Sequence, residues 1–392
     1  MNYIKIKDVT DFVRNGASIK QPKQCSTGIP ITRIETVSNS VFNWDKLGFA
    51  DITDDKYKDY YLKDKDVLLS HINSAKFLGR SVLFEAKDNN PIIHGMNLLC
   101  LRFIQSKYNP KFFVWYSNSR IAKNYFEENT KKAVNQASIT STAIKEMPIP
   151  ELSLPEQQKI AAHLDSIQSA IDNKKQRLQQ LDELVKSKFV EMFGDPETNP
   201  HNFAKKKIND FATCTAGATP STKVPEYWEN GTIPWMSSGE VHLGRIYDTE
   251  SKISQAGYDS CSTKMIPAHT VVIALAGQGK TRGTVGIAEI SLCTNQSLCA
   301  VIINEEANAD YLYSYLQLQY ENLRRISNGD GGRGGLNLKL IGNFEVILPD
   351  INLQNEWVSY VQKIDSARSI IKTQLADLQE LLDSKMDEYF GE

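Results

Sequence analysis

Cysteine is sparse and unpaired in this chain: six in 392 residues, at positions 25, 100, 214, 261, 293 and 299, with no CxxC pair. A disulfide framework is therefore not expected, and the thiols read as reduced cysteines of a cytoplasmic protein. The six histidines (His71, His94, His163, His201, His242, His269) show no metal-ligand spacing, so no metal site is expected. No apolar run approaches the roughly 18 residues that suggest a membrane span. The opening Met1–Asp8 lacks the apolar segment of a secretory signal, and none is expected. The formal net charge is only −2, which excludes binding of a polyanion by bulk charge alone. What is present is an ordinary globular composition, 41% apolar and 23% charged, in a chain long enough for two or three domains.

The most informative feature is a long segment that occurs twice. One copy covers residues 154–194 and ends Lys188-Phe189-Val190-Glu191-Met192-Phe193-Gly194. The other starts at Ile351 and ends Lys385-Met386-Asp387-Glu388-Tyr389-Phe390-Gly391. A single offset of 197 aligns them without a gap, placing Gln157 on Gln354, Leu178 on Leu375 and Leu181 on Leu378. A repeat of this length predicts duplicated modules with a pseudo-two-fold relation. The segments preceding each copy differ strongly in sequence and charge. Residues 1–152 carry 22 Lys and Arg against 16 Asp and Glu, whereas residues 198–350 carry 13 against 15.

Both copies read as helices of about 40 residues, roughly 60 Å long at 1.5 Å per residue. In the first, the apolar seam is Ile160, Leu164, Ile167, Ile171, Leu178, Leu181, Val185 and Met192. In the second it is Trp357, Val361, Ile364, Ile371, Leu375, Leu378, Leu382 and Tyr389. The alternation of four and three is a heptad pattern, interrupted by Lys174 and Lys188 in one and by Arg368 and Lys385 in the other. Such a seam predicts that the helices pair with one another; the alternative is packing of each on its own head. Leu184 and Leu381 lie off the seam and leave apolar surface for a partner.

The two heads read as β-rich with some helix. Strands are expected at Asp66–Ser70, Ser81–Glu85 and Val271–Leu275, and helices at Asn109–Tyr116 and Asp310–Leu316, with Asp310 as the cap of the latter. Ile29-Pro30 matches Ile233-Pro234, Val67 matches Val271 and Gly79 matches Gly283, all at an offset of 204, so the heads read as one fold with diverged surfaces. The fold class is thus α+β: two β-rich domains in tandem, related by a pseudo-two-fold and joined by two long helices in an antiparallel coiled coil. Its parts are a first head at 1–152, a helix at 153–197, a second head at 198–350 and a helix at 351–392.

The order head, helix, head, helix resembles the specificity (S) subunit of type I restriction–modification enzymes over nearly the whole chain. The phrases that carry the likeness are Gly217-Ala218-Thr219-Pro220-Ser221, Gly231-Thr232-Ile233-Pro234-Trp235, Ser238-Gly239-Glu240, Gly277-Gln278-Gly279-Lys280-Thr281-Arg282-Gly283, Thr294-Asn295-Gln296 and Gly331-Gly332-Arg333-Gly334-Gly335-Leu336-Asn337, with Glu156-Gln157-Gln158-Lys159-Ile160 opening the first long helix. The second copy departs from this opening, with Leu353-Gln354-Asn355-Glu356-Trp357. The resemblance implies a non-catalytic subunit whose heads are target recognition domains, each gripping one half of a split, asymmetric site on double-stranded DNA. The helices would set the gap between the halves and dock two methyltransferase subunits, with restriction subunits joining through the complex. ATP, magnesium and S-adenosylmethionine would belong to those partners, so no cofactor is expected in this chain, nor any membrane association. No Asn-Pro-Pro-aromatic methyltransferase motif occurs.

Within this frame the candidate DNA-contacting residues are those of glycine-rich or polar loops. In the second head they are Gln278, Lys280 and Arg282, with Arg333 and Asn337 further on. In the first they are His71, Asn73, Lys76 and Arg80, with Gln136 and Ser138 in the segment that an offset of 197 places opposite Leu336. Lysine and arginine with backbone amides suit phosphate, and arginine, asparagine or glutamine suit base edges. Two rival readings remain. Ala274–Thr281 loosely fits a phosphate-binding loop of an NTPase, yet Gly283-Thr284-Val285-Gly286-Ile287 reads as strand where such a loop requires a helix. A scaffold that uses only its coiled coil and reads no DNA is the other.

Overall fold

Thr10–Asn15, Leu98–Phe103, Val67–Ser70 and Ser81–Leu83 form, in that order, an antiparallel sheet whose alternating side chains split its two faces between two apolar clusters. The coordinates are those of a computed structural model, which describes residues 2–19, 27–37, 41–52, 55–74, 77–132, 137–277, 279–327 and 335–391. Two compact units result: Met1–Gln176 with Lys372–Glu392, and Arg177–Ile371. Each long helix divides between the two units.

In the first unit one sheet face (Val13, Val67, Leu69, Leu99, Leu101) packs on the helices Pro110–Ser117 and Arg120–Glu128 through Phe112, Phe113, Tyr116 and Phe126. The other face, with Leu68, Val82 and Cys100, covers Val37, Phe42 and Phe84. Asn109 caps the first of these helices by accepting from the backbone amides of Lys111 and Phe112, with Pro110 in the first turn where its missing N–H costs nothing. Tyr3–Lys5 pairs with Pro148–Pro150, directly before the long helix Leu154–Phe193.

The second unit repeats the plan with additions. Lys205–Lys207 pairs with Glu345–Ile347 just before the long helix Ile351–Phe390. A five-stranded sheet runs Ala212–Ala216, Leu298–Ile303, Thr270–Ala274, Val285–Ala288, Arg245–Ile246, and a second sheet runs Ser251–Ile253, Ile233–Met236, Leu292–Thr294, Met265–Ile266. Val271, Ile273, Ile287 and Val301 pack on Tyr311, Leu312 and Tyr315 of the helix Ala309–Leu318. That helix is capped by Asn308 rather than Asp310: the Asn308 side chain accepts from the Asp310 amide at 3.0 Å, which frees the Asp310 carboxylate to pair with Arg245.

The long helices have no internal glycine, and proline only in the first turn. Their seam positions are buried or half-buried at the expected alternation of four and three, Lys174, Lys188, Arg368 and Lys385 included. These four keep the register by running their stems along the seam while the charged heads find partners. Within each unit the two helix segments run antiparallel, and they pack both on each other and on the head. In the first unit, His163 Nδ1 lies 2.7 Å from the Tyr389 hydroxyl and Lys174 Nζ donates to Gln374 at 2.6 Å. Leu164, Ile167 and Ile171 share a core with Leu382 and Phe390, whose ring meets Phe112 and Tyr116. In the second unit, Arg368 donates to Asp182 at 2.6 Å, and the fully buried Trp357 stands edge-on to Phe189, 5.1 Å between ring centres. Truncating such a buried aromatic costs about 3–5 kcal/mol. No helix among the described residues is long and apolar enough to cross a membrane.

Candidate nucleic-acid interface

One hairpin recurs in both heads with the same hydrogen bonds. In the first head the Ser70 amide donates to the Arg80 carbonyl at 2.8 Å and the Gly79 amide to Ser70 at 2.9 Å. In the second, the Ala274 amide donates to Thr284 at 3.0 Å and the Gly283 amide to Ala274 at 2.9 Å. Every position differs by 204. Gly79 and Gly283 both adopt the left-handed backbone region, with φ of +75° and +82°, which favours glycine. A later segment then crosses the base of each loop: the Ile139 amide donates to the His71 carbonyl at 2.9 Å, and the Leu336 amide to Leu275 at 3.0 Å. The structure thus brings together, within each head, the loop and the later segment that the sequence offsets align.

The loops themselves differ. In the first head Ile72–Asn73 continues as a strand paired with Ala137–Ser138, which pairs in turn with Lys131–Lys132. His71 is buried, with 5% of its surface exposed, and its Nδ1 lies 3.1 Å from the Ile139 carbonyl. Burial lowers its pKa, which favours a neutral ring in a structural position. Asn73 spends its side chain locally, donating to Ser70 Oγ at 3.2 Å and accepting from the Ser74 amide at 2.8 Å. The Arg80 guanidinium stacks on Phe77, 4.4 Å from the ring centre. Ser138 is half-buried opposite Ile72 and Lys131. Lys76 and Gln136 lie outside the described residues.

In the second head the loop projects as a turn. Lys280 is exposed and Arg282 half-buried. The chain returns as the strand Val285–Ala288, not as a helix, so the geometry a phosphate-binding NTPase loop needs is missing. The amides of Gly283 and Thr284 bond inside the turn, to Ala274 and Thr281, and the exposed Lys280 is its outward cation. Asn337 caps the short helix Leu338–Gly342 by accepting from the Leu340 amide at 2.9 Å. Gln278 and Arg333 lie outside the described residues. Among the described residues no group of three or more His, Cys, Asp or Glu side chains could hold a metal ion.

Sequence reasoning passed over two features here. Lys131, exposed, is brought by strand pairing beside Ser138. The Lys131-Lys132 doublet just before the Gln136 segment was the available signal. Tyr320 and Arg324, some 40 residues from the Lys280 turn, hold that turn's carbonyls, and no local pattern announces them.

Comparison with known proteins matches the family model described as the type I restriction modification DNA specificity domain twice, over residues 1–183 and 200–380. A specificity subunit assigned to the type I restriction enzyme MjaX of Methanocaldococcus jannaschii is 28% identical over 378 residues, 92% of this chain and 86% of that one. The EcoR124I/EcoR124II specificity subunit of Escherichia coli is 26% identical over 186 residues, 47% of this chain and 46% of that one. Among solved structures, the S subunit of a type I restriction-modification system from M. genitalium shares the fold with a TM-score of 0.61 at 15% identity, covering 100% of this chain and 96% of the other.

Proposed function

Because the chain belongs to the family of type I restriction–modification DNA specificity subunits, carrying that family's domain twice, we propose that its two heads read two different halves of one asymmetric, split DNA site. As a specificity subunit it contributes sequence recognition and not catalysis; methylation and cleavage belong to the methyltransferase and restriction subunits with which it works on DNA. The observation that carries the two-word reading is the recurrent hairpin. Its closing hydrogen bonds are the same in both heads, while the loop it presents is a three-stranded edge near Lys131 and Ser138 in one and a cationic glycine turn at Lys280 in the other. A common scaffold with unlike surfaces suits recognition of unlike sequences.

The contacts are divided by chemistry. Lys280 and Lys131 serve phosphate, Arg282 and Arg80 supply guanidinium groups at the hairpins, and the buried His71 is left to the core. Lys76, Gln136, Gln278 and Arg333 keep the role that their place in the sequence suggests. The two methyltransferase subunits dock one on the helical surface around Leu184 and one on that around Leu381, which occupy matching positions of the repeat and expose 48% and 41% of their surface. The reading is tested by co-expression with the cognate methyltransferase subunit and single-molecule sequencing for methylated adenine. A split asymmetric motif that disappears without this chain supports it. A stable complex that methylates without sequence preference overturns it in favour of a scaffold.

A further inference from the structure

The Lys280 turn is built from residues that resist order. Gly277, Gly279 and Gly283 all have positive φ, of +134°, +69° and +82°, and nothing lies within 4 Å of where a Gly279 side chain would begin. Left alone, such a segment samples many conformations, and fixing it on DNA would consume binding energy. Yet its carbonyls have dedicated partners on one side. The Tyr320 hydroxyl donates to the Lys280 carbonyl at 2.9 Å. Arg324 Nη1 lies 2.8 Å from the Gly279 carbonyl, 3.3 Å from that of Arg282 and 3.0 Å from the Tyr320 hydroxyl. Thr284 Oγ1 supplies a further donor to Lys280 at 2.9 Å. Tyr320 and Arg324 sit one turn apart on the helix Tyr320–Ile326, with the guanidinium 5.5 Å from the tyrosine ring centre.

The first head is built differently at the matching glycine. There the equivalent glycine, Gly79, rests against the Phe126 ring, which a Cβ would meet at 2.1 Å, whereas a Cβ on Gly283 would meet Arg324 Cγ at 3.4 Å. An apolar wedge in one head is replaced by a charged clamp in the other.

We propose that Tyr320 and Arg324 are positioning residues for DNA recognition: they clamp the backbone of the Lys280 turn from behind, so that Lys280 is presented to a DNA phosphate without ordering the loop at the moment of binding. The proposal rests on the reading of this turn as a DNA contact. A guanidinium suits the task because the two N–H groups of Nη1 can serve two carbonyls at once, and those charge-assisted bonds are the stronger kind. The clamp touches no DNA itself, so it acts only through the turn.

The test uses the full chain in complex with its methyltransferase subunits and the target duplex found by methylation sequencing. Lys280→Ala should weaken binding and flatten the dependence of log affinity on log salt by about one unit, as loss of one phosphate contact does. Arg324→Ala should weaken target binding about tenfold and speed amide exchange across 279–284. Combined with Lys280→Ala it should cost little more than Lys280→Ala alone. Tyr320→Phe, which deletes one hydroxyl and keeps the helix, should move both readouts in the same direction by less. Unchanged amide exchange in Arg324→Ala, or additive losses in the double variant, overturns the clamp while leaving the turn a DNA contact. A Lys280→Ala variant with wild-type affinity and salt slope removes the DNA-contact reading itself, and the clamp's purpose with it.

Discussion

The Gln157 side-chain oxygen accepts from the backbone amide of Asn109 at 2.7 Å while its amide donates to the Leu152 carbonyl at 2.9 Å; 197 residues on, Gln354 accepts from Asn308 at 2.8 Å and donates to Pro349 at 2.8 Å. Both glutamines are buried, and each ties the start of a long helix to the asparagine that caps a helix of its head. The repeat has kept a polar side chain in a core because its hydrogen-bonding capacity is met on both ends.

Gln157→Ala and Gln354→Ala should therefore each destabilise their own unit. Removing the side chain orphans a buried amide and a carbonyl at about 1–3 kcal/mol each, or about 2–6 kcal/mol together. Urea unfolding of each variant reads the loss, and a change below about 1 kcal/mol would show that these bonds are dispensable.

Arg245 gathers Glu289, Asp310 and, at 3.5 Å, Asp365 of the second long helix, which also pairs with Arg368. Burial opposes the Arg245 charge, but hydrogen bonding and charge from Asp310 and Glu289 outweigh this and raise its pKa. Arg245→Ala leaves two mostly buried carboxylates facing each other and should cost about 3–5 kcal/mol. Thermal unfolding checks this; a penalty below about 1 kcal/mol would contradict the assignment to uncompensated buried charge.

His94 is buried, its Nε2 2.9 Å from the Leu98 carbonyl, and its Nδ1 has no hydrogen-bond partner among the described residues. Burial, reinforced by the nearby Arg14 charge, pushes its pKa down to about 4. A folded pKa below the unfolded value of about 6.5 means that its neutral form favours folding. Stability is complete above pH 6.5 and is lost as pH falls toward 4, by about 3 kcal/mol for this group. Glu146, held down to about 2 by hydrogen bonds from Lys5 and Lys7, acts only below its ordinary carboxylate range. Between pH 6.5 and 4.5 His94 acts together with His71, whose pKa burial also lowers, so His94→Gln should reduce the slope of the stability curve there without abolishing it. A curve as steep as wild type would place the acid sensitivity elsewhere.

Leu184→Glu and Leu381→Glu should leave unfolding nearly unchanged, within about 0.5 kcal/mol, because both side chains are already substantially exposed. Capture of the methyltransferase subunit should fall sharply in the double variant. Undiminished capture would move the docking surfaces away from these two positions.

Much of the architecture was legible because it is periodic or local. The four-three alternation marked the helices, and their starts at Leu154 and Ile351 follow from Ser153 and Asp350, which accept into the first turn. The strands Val67–Ser70 and Thr270–Ala274 stood out as short β-branched and leucine runs. Less legible was the side on which a single polar residue falls. His71 has the composition of a loop contact, yet its ring lies inward, since nothing in its neighbours' types records the Ile139 carbonyl that receives it. Asp310 reads as a helix cap, and only the arrival of Arg245 from a strand 65 residues earlier explains why Asn308 takes that place.

The sequence by itself determined that there are two modules, that each is β-rich and followed by a heptad helix, and that their surfaces have diverged, because repeat, period and composition are properties of the chain read in order. Only the tertiary structure decided that each long helix is shared between units, with Phe390 packed on Phe112 and Trp357 on Phe189, and that Arg324 stands behind the Lys280 turn. Those contacts join residues tens to hundreds of positions apart, and their energy depends on distance and direction, which no local pattern of residue types contains.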